Sequence, residues 1–399
     1  MSTVTDRERA TEPRTERSPV LLAEGSRAYR IVVLVIIAGI IGLALIGTTL
    51  SVYRMSQVTA VLITAIAVIG LNLATGYTGL LSIGHSALFG VGAYATGILI
   101  LDYAYSPILT LPIATALGFA VGLIVGVPAL RIRGLYFSLV TLALGIAFPE
   151  IIRRFDDFTG GAAGLLIRSQ FLTPPSWTGL TRFERGLWLY GLSFVSFVVV
   201  MLLVRNLMRS RTGIAMRGVR DHEVAIRSNG VDVARTKVLT FGLSGAITGY
   251  AGGLFAMNVG ALSPDGGSFT LVKSIELITA MFIGGAGTLL GPLIGSTVTV
   301  FLPELTSTWT TGPISGVLFG VTLIVLVFFM PEGIAGRLQI IARRFVRVVP
   351  PDHPAARRPT TSTQNSGGNA TGQKSVAAGG AEQPPGPNSD DASSEGSSR

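Results

Sequence analysis

Residues 31–50 read IVVLVIIAGIIGLALIGTTL, a run that contains no charged side chain. A helix of about 20 apolar residues is long enough to cross the roughly 30 Å hydrocarbon core of a bilayer. This stretch therefore predicts a membrane-spanning helix, and it decides the class of protein to which the chain belongs.

Similar apolar runs follow along most of the chain. We predict further spans at residues 57–74, 80–101, 109–130, 135–152, 186–204, 238–262 and 314–330, and two short spans within residues 275–305 that divide at Gly284-Gly285-Ala286-Gly287. Only structures that satisfy their own backbone hydrogen bonds cross a bilayer, so runs of this length should be helices. The predicted fold is all-α: a polytopic integral membrane helical bundle with about ten transmembrane segments.

The composition agrees with this fold class. Apolar residues make up 49% and charged residues 13% of the 399-residue chain, whereas an ordinary soluble domain carries roughly 25% charged residues. These proportions exclude a cytosolic enzyme and a disordered scaffold. The chain has no cysteine and three histidines, which excludes disulfides, thiolate nucleophiles and a His-rich centre, so we expect no metal site.

Two polar segments flank the apolar part. Residues 1–30 are too charged for a cleavable signal peptide, and we interpret them as a cytoplasmic tail. Residues 350–399 contain no Leu, Ile, Met, Phe, Trp or Tyr, so they bury too little apolar area to offset the entropy of ordering, and we expect disorder. The transmembrane domain then covers residues 31–349.

The distribution of Lys and Arg predicts the orientation of the bundle. The segment at residues 205–237 carries eight Lys and Arg side chains, and cationic loops stay in the cytoplasm. Residues 1–30, 205–237 and 337–399 are therefore predicted to be cytoplasmic. The segment at residues 153–185, with five Arg against three acidic residues, falls outside and runs against the rule. The net charge of +9 thus reflects orientation, and we expect no nucleic-acid partner.

The 50 glycines predict either close helix packing or broken helices that line a polar path. The candidates for these roles are Gly76, Gly79, Gly84, Gly284, Gly285, Gly287 and Gly291. The four-residue spacing of Gly287, Gly291 and Gly295 predicts one face of a helix. Residues 75–79 (TGYTG) also resemble residues 248–252 (TGYAG), either as an internal repeat or by chance.

Few polar or ionisable side chains lie within the apolar runs, and such groups in a bilayer indicate function. The candidates for the translocation path are Asn72, Tyr77, Ser82, His85 and Glu276. His85 lies among small residues, which favours a hydrogen-bonding role over a proton relay, and Glu276 lies near a predicted interface. No series of Asp, Glu and His runs through the spans, which argues against a proton- or sodium-driven carrier.

Residues 217–230 (RGVRDHEVAIRSNG) predict a short capped helix in the charged loop. Asp221 is the expected N-cap, Glu223 suits the positive helix start and can pair with Arg227, and Gly230 suits a left-handed residue after the helix. Val224, Ala225 and Ile226 are apolar on this polar segment, which fits either a partner's groove or the membrane surface. The residues proposed for coupling are Arg220, Asp221, Glu223, Val224, Ala225, Arg227 and Gly230.

The sequence resembles the permease subunits of branched-chain amino-acid ABC importers, the LivH/LivM family, and especially the LivM-like members. Three stretches carry the likeness: residues 70–90 (GLNLATGYTGLLSIGHSALFG), residues 130–137 (LRIRGLYF), and the loop 217–230 together with residues 283–292 (IGGAGTLLGP). The likeness covers residues 57 to 331. In the loop, Val224 replaces one Ala of the importers' ATPase-docking motif, and Gly230 lies one position later than usual.

The resemblance implies a multi-pass subunit of the inner or plasma membrane that imports Leu, Ile and Val. It implies a second LivH-like permease subunit, two ABC ATPase subunits and an extracytoplasmic substrate-binding protein as partners, besides membrane lipid. ATP would bind the ATPase subunits, so this chain would be no enzyme and would hold no cofactor. Two alternatives remain: a urea or short-chain amide permease of the same family, and an ion-coupled secondary transporter.

Overall fold

The computed structural model of the protein describes residues 20–23, 51–130, 135–181, 184–309, 320–321, 324, 332–338 and 346–349. The predicted first span at residues 31–50, nearly all of the last at 314–330 and the tail at 350–399 lie outside the described residues. The count of about ten spans therefore stays a prediction.

The described residues are mainly helical. The helices are α1 (Val52–Leu71, continued by a π-helical turn at Asn72–Tyr77), α2 (His85–Leu101), α3 (Pro107–Gly126), α4 (Leu135–Arg154), α5 (Asp156–Thr159), α6 (Arg185–Arg209), α7 (Arg211–Asp221), α8 (Glu223–Ser228), α9 (Val233–Val259), α10 (Leu271–Gly284) and α11 (Gly291–Trp309). Among the described residues, five of these helices are long and apolar enough to cross a membrane: α1 with its π turn, α3, α4, α6 and α9.

Four short strands form two pairs. The strands are β1 (Val20–Ala23), β2 (Leu165–Leu166), β3 (Ala261–Leu262) and β4 (Val346–Val349). β1 pairs with β4 in parallel, with Leu21 opposite Arg347, and β2 pairs with β3 in antiparallel fashion. The first pair brings a segment before the predicted spans beside a segment after them.

α9 is the central helix of the bundle and packs against α1, α2 and α3. Its first turn is capped by Asp232, whose Oδ1 accepts a hydrogen bond from the Arg235 N–H at 3.0 Å. It ends at Gly260, which has a φ of 71°. α1 is enclosed on nearly all sides, as expected of a helix that is apolar all round. α3 and α4 leave more of their surface uncovered.

Small residues bring α3 and α9 into backbone contact. Gly118 and Gly122 lie four residues apart on α3 and face Gly245 and Gly249 of α9. A β-carbon added at Gly122 would lie 2.7 Å from the Phe241 carbonyl oxygen. Glycines thus allow close helix packing here, and Gly118 and Gly122 of this face are not among the candidates named from sequence.

The structure contradicts one glycine pattern and separates the two similar pentapeptides. Gly287 has a φ of 75° in the loop between α10 and α11, so it cannot share a helix face with Gly291 and Gly295. The two similar pentapeptides also differ in backbone: residues 75–79 lie at the π-helical turn and beyond it, whereas residues 248–252 lie inside α9. Their likeness is therefore not one of local structure.

Candidate functional site

The loop at residues 205–237 folds as two short helices, α7 and α8, between α6 and α9. Ser210 caps α7, where its Oγ accepts a backbone N–H at 3.4 Å. Asp221 is the last residue of α7, and His222 precedes α8. The prediction that Asp221 caps the second helix is therefore wrong. The cause is that α7 runs further than expected: the His222 N–H still donates to the Gly218 carbonyl at 2.9 Å.

Glu223 forms one ion pair within α8 and one to α9. Its Oε1 lies 3.4 Å from Arg227 Nη2, which confirms the predicted pair within the helix. Its Oε2 accepts from Lys237 Nζ at 2.9 Å, a contact to α9 that the sequence did not reveal. Gly230 has a φ of 79°, which confirms the predicted left-handed residue. The Lys237 ion pair holds α8 against the start of α9, where Lys237 is buried and Glu223 remains partly exposed.

One apolar side chain anchors α8, and two face outward. Ile226 is half-buried and lies on Gly218 of α7, where an added β-carbon would be 2.5 Å from its Cδ1. Val224 is 85% exposed, and Ala225 is exposed beside it. Val224 and Ala225 thus give the outward side of α8 a small apolar surface.

A cluster of backbone and side-chain contacts lies where α1 ends. Asn72 Nδ2 donates to the Thr288 carbonyl at 2.9 Å, and Asn72 Oδ1 accepts from the Gly287 N–H at 2.8 Å. Arg220, from the last turn of α7, donates through Nη1 to the Gly76 carbonyl. We call Asn72, Gly76, Arg220, Gly287 and Thr288 the loop junction. It joins α1, α7 and the α10–α11 loop.

In the loop junction Asn72 contacts backbone, and its place on the translocation path stays a prediction. The nitrogen and the oxygen of the Asn72 side-chain amide each form a hydrogen bond to the backbone of the α10–α11 loop. Asn72 therefore connects two broken helices. Tyr77, five residues after Asn72, is buried at the end of the same π turn. The broken helices expected around residues 75–79 and 284–291 are both present, and the structure brings them together.

Gly79, which has a φ of 76°, borders the loop junction and lies against Arg220. Gly284 approaches the backbone of Gly291 across the α10–α11 loop. Gly285, with a φ of 111°, lies close to residues 332–338: an added β-carbon would be 3.0 Å from the Glu332 carbonyl oxygen. The candidate glycines of both broken segments thus allow close approach of backbones that are distant in sequence.

His85 forms a second polar network inside the bundle. Its Nδ1 lies 2.8 Å from Ser82 Oγ, and its Nε2 lies 2.8 Å from Ser244 Oγ. Ser244 Oγ donates its proton to the Gly70 carbonyl at 2.5 Å, so it must accept from His85. The imidazole therefore carries a proton on Nε2, and its Nδ1 is hydrogen-bonded to the Ser82 hydroxyl. Both ring nitrogens of this histidine thus have partners.

The start of α2 is held by two other helices. The Ile83 N–H donates to Thr141 Oγ1 of α4 at 3.0 Å, and the Ser86 N–H donates to Ser274 Oγ of α10 at 2.9 Å. Gly84 lies between them, against the backbone of Thr141. Hydroxyl groups thereby replace the intrahelical acceptors that the first N–H groups of a helix lack.

Glu276 belongs to neither network. It lies on α10, where its Oε1 accepts from Lys273 Nζ at 2.9 Å. Its charge is thus balanced by a neighbour one turn away, in agreement with the local bonding expected from its place near an interface. Of the five predicted path residues, Ser82 and His85 contact each other, Asn72 and Tyr77 share the π turn, and Glu276 stands apart.

Comparison with known proteins shows the family to which this chain belongs. The sequence profile described as "Branched-chain amino acid transport system / permease component" matches residues 53–327. The chain belongs to this family. The match covers the described helices from α1 to α11, and it includes the loop of α7 and α8. No solved structure matches the permease.

Several curated proteins are similar to the permease. The high-affinity branched-chain amino acid transport system permease protein LivM of Escherichia coli K12 is 28% identical over 294 residues, which cover 69% of this chain and 68% of that protein. LivH of the same strain is 22% identical over 293 residues, or 69% of this chain and 92% of that protein. The probable LivM of Methanocaldococcus jannaschii is 25% identical over 249 residues, or 59% and 69%.

Sequence reasoning missed one aromatic cluster in the permease. Phe269 is buried in the segment between β3 and α10, with its ring centroid 5.2 Å from that of Tyr94 and 6.0 Å from that of Phe255. Phe89 and Phe148 complete the cluster. These rings come from several separate segments, so no local spacing in the sequence signals their contact.

Proposed function

We propose that this permease is the LivM-like transmembrane subunit of an ATP-driven ABC importer, and that it moves Leu, Ile and Val across the inner or plasma membrane. The observation that carries the proposal is the family match over residues 53–327. Relatives named as permeases of branched-chain amino acid transport include both LivM and LivH. We therefore infer that this chain pairs with a LivH-like subunit.

The complete importer would contain two ATPase subunits and an extracytoplasmic binding protein. α8 is suited to meet an ATPase, because Val224 and Ala225 project from a helix that Ile226 and Glu223 hold in place. ATP would bind and be hydrolysed on those partners, so that the permease itself holds no cofactor and is not an enzyme.

The orientation follows from the same arrangement. The eight cations of residues 205–237 favour a cytoplasmic position for α7 and α8. The pairing of β1 with β4 supports placing the two ends of the chain on one side of the membrane, and we place both in the cytoplasm. The segment at residues 153–185 then faces the binding protein.

The proposal is tested by uptake into proteoliposomes that contain the permease, its LivH-like partner and the two ATPases. With binding protein outside and ATP inside, we expect uptake of labelled leucine that stops when the ATPases carry an inactivating substitution. Excess unlabelled isoleucine or valine should compete, and urea or acetamide should not.

Each alternative predicts a different result. Competition by urea or acetamide, with no competition by valine, would assign the permease to that substrate class. Leucine uptake that needs an imposed proton or sodium gradient, and proceeds without the ATPases, would overturn the ATP-driven proposal.

A further inference from the structure

We infer that Arg220 is a positioning residue that transmits the movement of the docked ATPase from α8 to the loop junction. The inference rests on the proposed function, because it takes α8 as the surface that an ATPase contacts. It goes further by naming the contact through which that surface acts on the two broken helices of the bundle.

The first step is the contact between Arg220 and the end of α1. The guanidinium donates to the Gly76 carbonyl, in the last turn of the π-helical segment Asn72–Tyr77. Carbonyl groups at a helix end lack intrahelical donors and carry partial negative charge, so a cation there is favourable. The bond is charge-assisted and therefore stronger than one between neutral groups.

Two glycines make room for this contact. A β-carbon at Gly79 would lie 3.6 Å from Arg220 Cα, and one at Gly287 would lie 3.1 Å from Arg220 Nη1. Both residues have a positive φ, 76° and 75°, which other residues adopt only with strain. The backbone of α7 thus reaches the end of α1 on one side, while the guanidinium reaches the α10–α11 loop on the other.

The second step joins the end of α1 to the α10–α11 loop. The Asn72 side-chain amide donates to the Thr288 carbonyl and accepts from the Gly287 N–H. A β-carbon at Gly76 would lie 2.6 Å from the Gly287 nitrogen, so the two backbones are in direct contact. A displacement of Gly76 therefore has to displace Gly287 as well, because neither a side chain nor a gap separates them.

The connection from α8 to Arg220 is equally short. Ile226 rests on Gly218, which lies two residues before Arg220 in the same helix. Glu223 and its bond to Lys237 keep α8 from turning away. A force on Val224 and Ala225 is thus carried through packed contacts to α7, to Arg220 and to the loop junction, which is the contiguous network that mechanical coupling needs.

The experiment compares Arg220→Gln and Arg220→Lys with Arg235→Gln in the reconstituted complex. Arg235 is an exposed arginine of the same loop whose backbone N–H donates to Asp232, so replacing its side chain matches the change in charge. Three quantities are measured for each variant: ATPase subunits that copurify, ATP hydrolysis, and leucine uptake.

We expect Arg220→Gln to retain the ATPases and to hydrolyse ATP, but to transport less leucine for each ATP by about tenfold or more, the ratio that loss of one charge-assisted hydrogen bond corresponds to. Arg220→Lys should recover part of the loss, because it restores a cation that can donate to one carbonyl. Arg235→Gln should keep the ratio of the unmodified permease.

Three results would overturn the inference. They are an unchanged ratio of leucine to ATP in Arg220→Gln, a ratio lowered equally in Arg235→Gln, and loss of ATPase binding in Arg220→Gln, which would make Arg220 part of the docking surface. If Arg220→Gln does not insert, Asn72→Leu tests the far end of the same connection, and normal coupling there would contradict it. Absence of ATP-dependent uptake in the unmodified complex would refute the proposed function instead.

Discussion

Ile226 of α8 lies directly on Gly218 of α7, so that a β-carbon at position 218 would come within 2.5 Å of the isoleucine Cδ1. This contact fixes the orientation of α8 relative to α7. It turns Val224, which is 85% exposed, away from the rest of the permease. The six residues of α8 are too few to hold a helix by propensity, so tertiary contacts of this kind determine its position.

Gly218→Val should displace α8 and reduce ATP hydrolysis that depends on loaded binding protein. Inserting a side chain into such a contact costs about 1–3 kcal/mol, which is enough to move a short helix. Gly191→Val is the matched control, because nothing lies within 4 Å of a β-carbon at Gly191. Equal stimulation of ATP hydrolysis in the two variants would contradict the anchoring role of Ile226.

Glu223→Lys should impair transport while the amount of membrane-inserted permease stays normal. The change replaces the bonds to Arg227 and Lys237 by repulsion. The exposed Arg227 pair accounts for a few tenths to about 1 kcal/mol, and the cost is larger at Lys237, which is buried. Leucine uptake and the inserted amount are measured in the same vesicles. Arg227→Gln, which leaves the Lys237 contact in place, should reduce leucine uptake less. Normal uptake in Glu223→Lys would favour the membrane-surface alternative for α8.

Gly230→Val should also uncouple transport, for a reason confined to the backbone. Gly230 has a φ of 79°, and a β-carbon there would meet nothing within 4 Å, so the cost is conformational strain of about 1–2 kcal/mol. Gly230→Asn tolerates this conformation better and should retain most of the uptake. A valine variant as active as the asparagine variant would show that the end of α8 is free to shift.

Gly122→Val should destabilise the bundle by forcing α3 away from α9. The added β-carbon would lie 2.7 Å from the Phe241 carbonyl oxygen, and backbone cannot yield as a flexible side chain does. The expected loss is about 1–3 kcal/mol, measured as a lower temperature of aggregation in detergent. Gly191→Val again serves as the control, and a temperature equal to that of the control would mean that the two helices can separate freely.

A chain that ends after Val349 should assemble and transport normally. β4 ends at Val349, so the truncation keeps its pairing with β1 and removes only residues that are poor in apolar side chains.

The pairing itself is checked with Leu21→Cys and Arg347→Cys, which are opposite each other in a chain without other cysteines. Failure of an oxidant to cross-link them in the truncated chain would show that the strands are not paired.

The sequence was sufficient for features that depend on local pattern. The predicted spans at residues 57–74 and 186–204 lie within α1 with its π turn and within α6, because length and apolarity alone define such helices. The pairing of Glu223 with Arg227 and the conformation of Gly230 follow from spacing along one helix. The error at Asp221 is also local: two helices compete for this residue, and α7 contains it.

The loop junction could not be predicted in the same way. Asn72 and Gly287 are 215 positions apart, and neither carries a pattern that names the other. The four-residue spacing of Gly118, Gly122 and Gly126 was visible in the sequence, but spacing alone does not reveal which glycines face another backbone. Gly287 was read as part of a similar pattern and proved to lie in a loop.

α10 contains 14 residues, which at 1.5 Å per residue amounts to about 21 Å, well below the roughly 30 Å of a hydrocarbon core. Where α10 borders lipid, we expect the bilayer to thin beside it, or headgroups and water to approach the α10–α11 loop. The activity of the permease should therefore depend on the acyl-chain length of the host membrane. We expect short-chain lipids to match the length of α10. Long-chain lipids should exert a force on the loop junction even when no substrate is present.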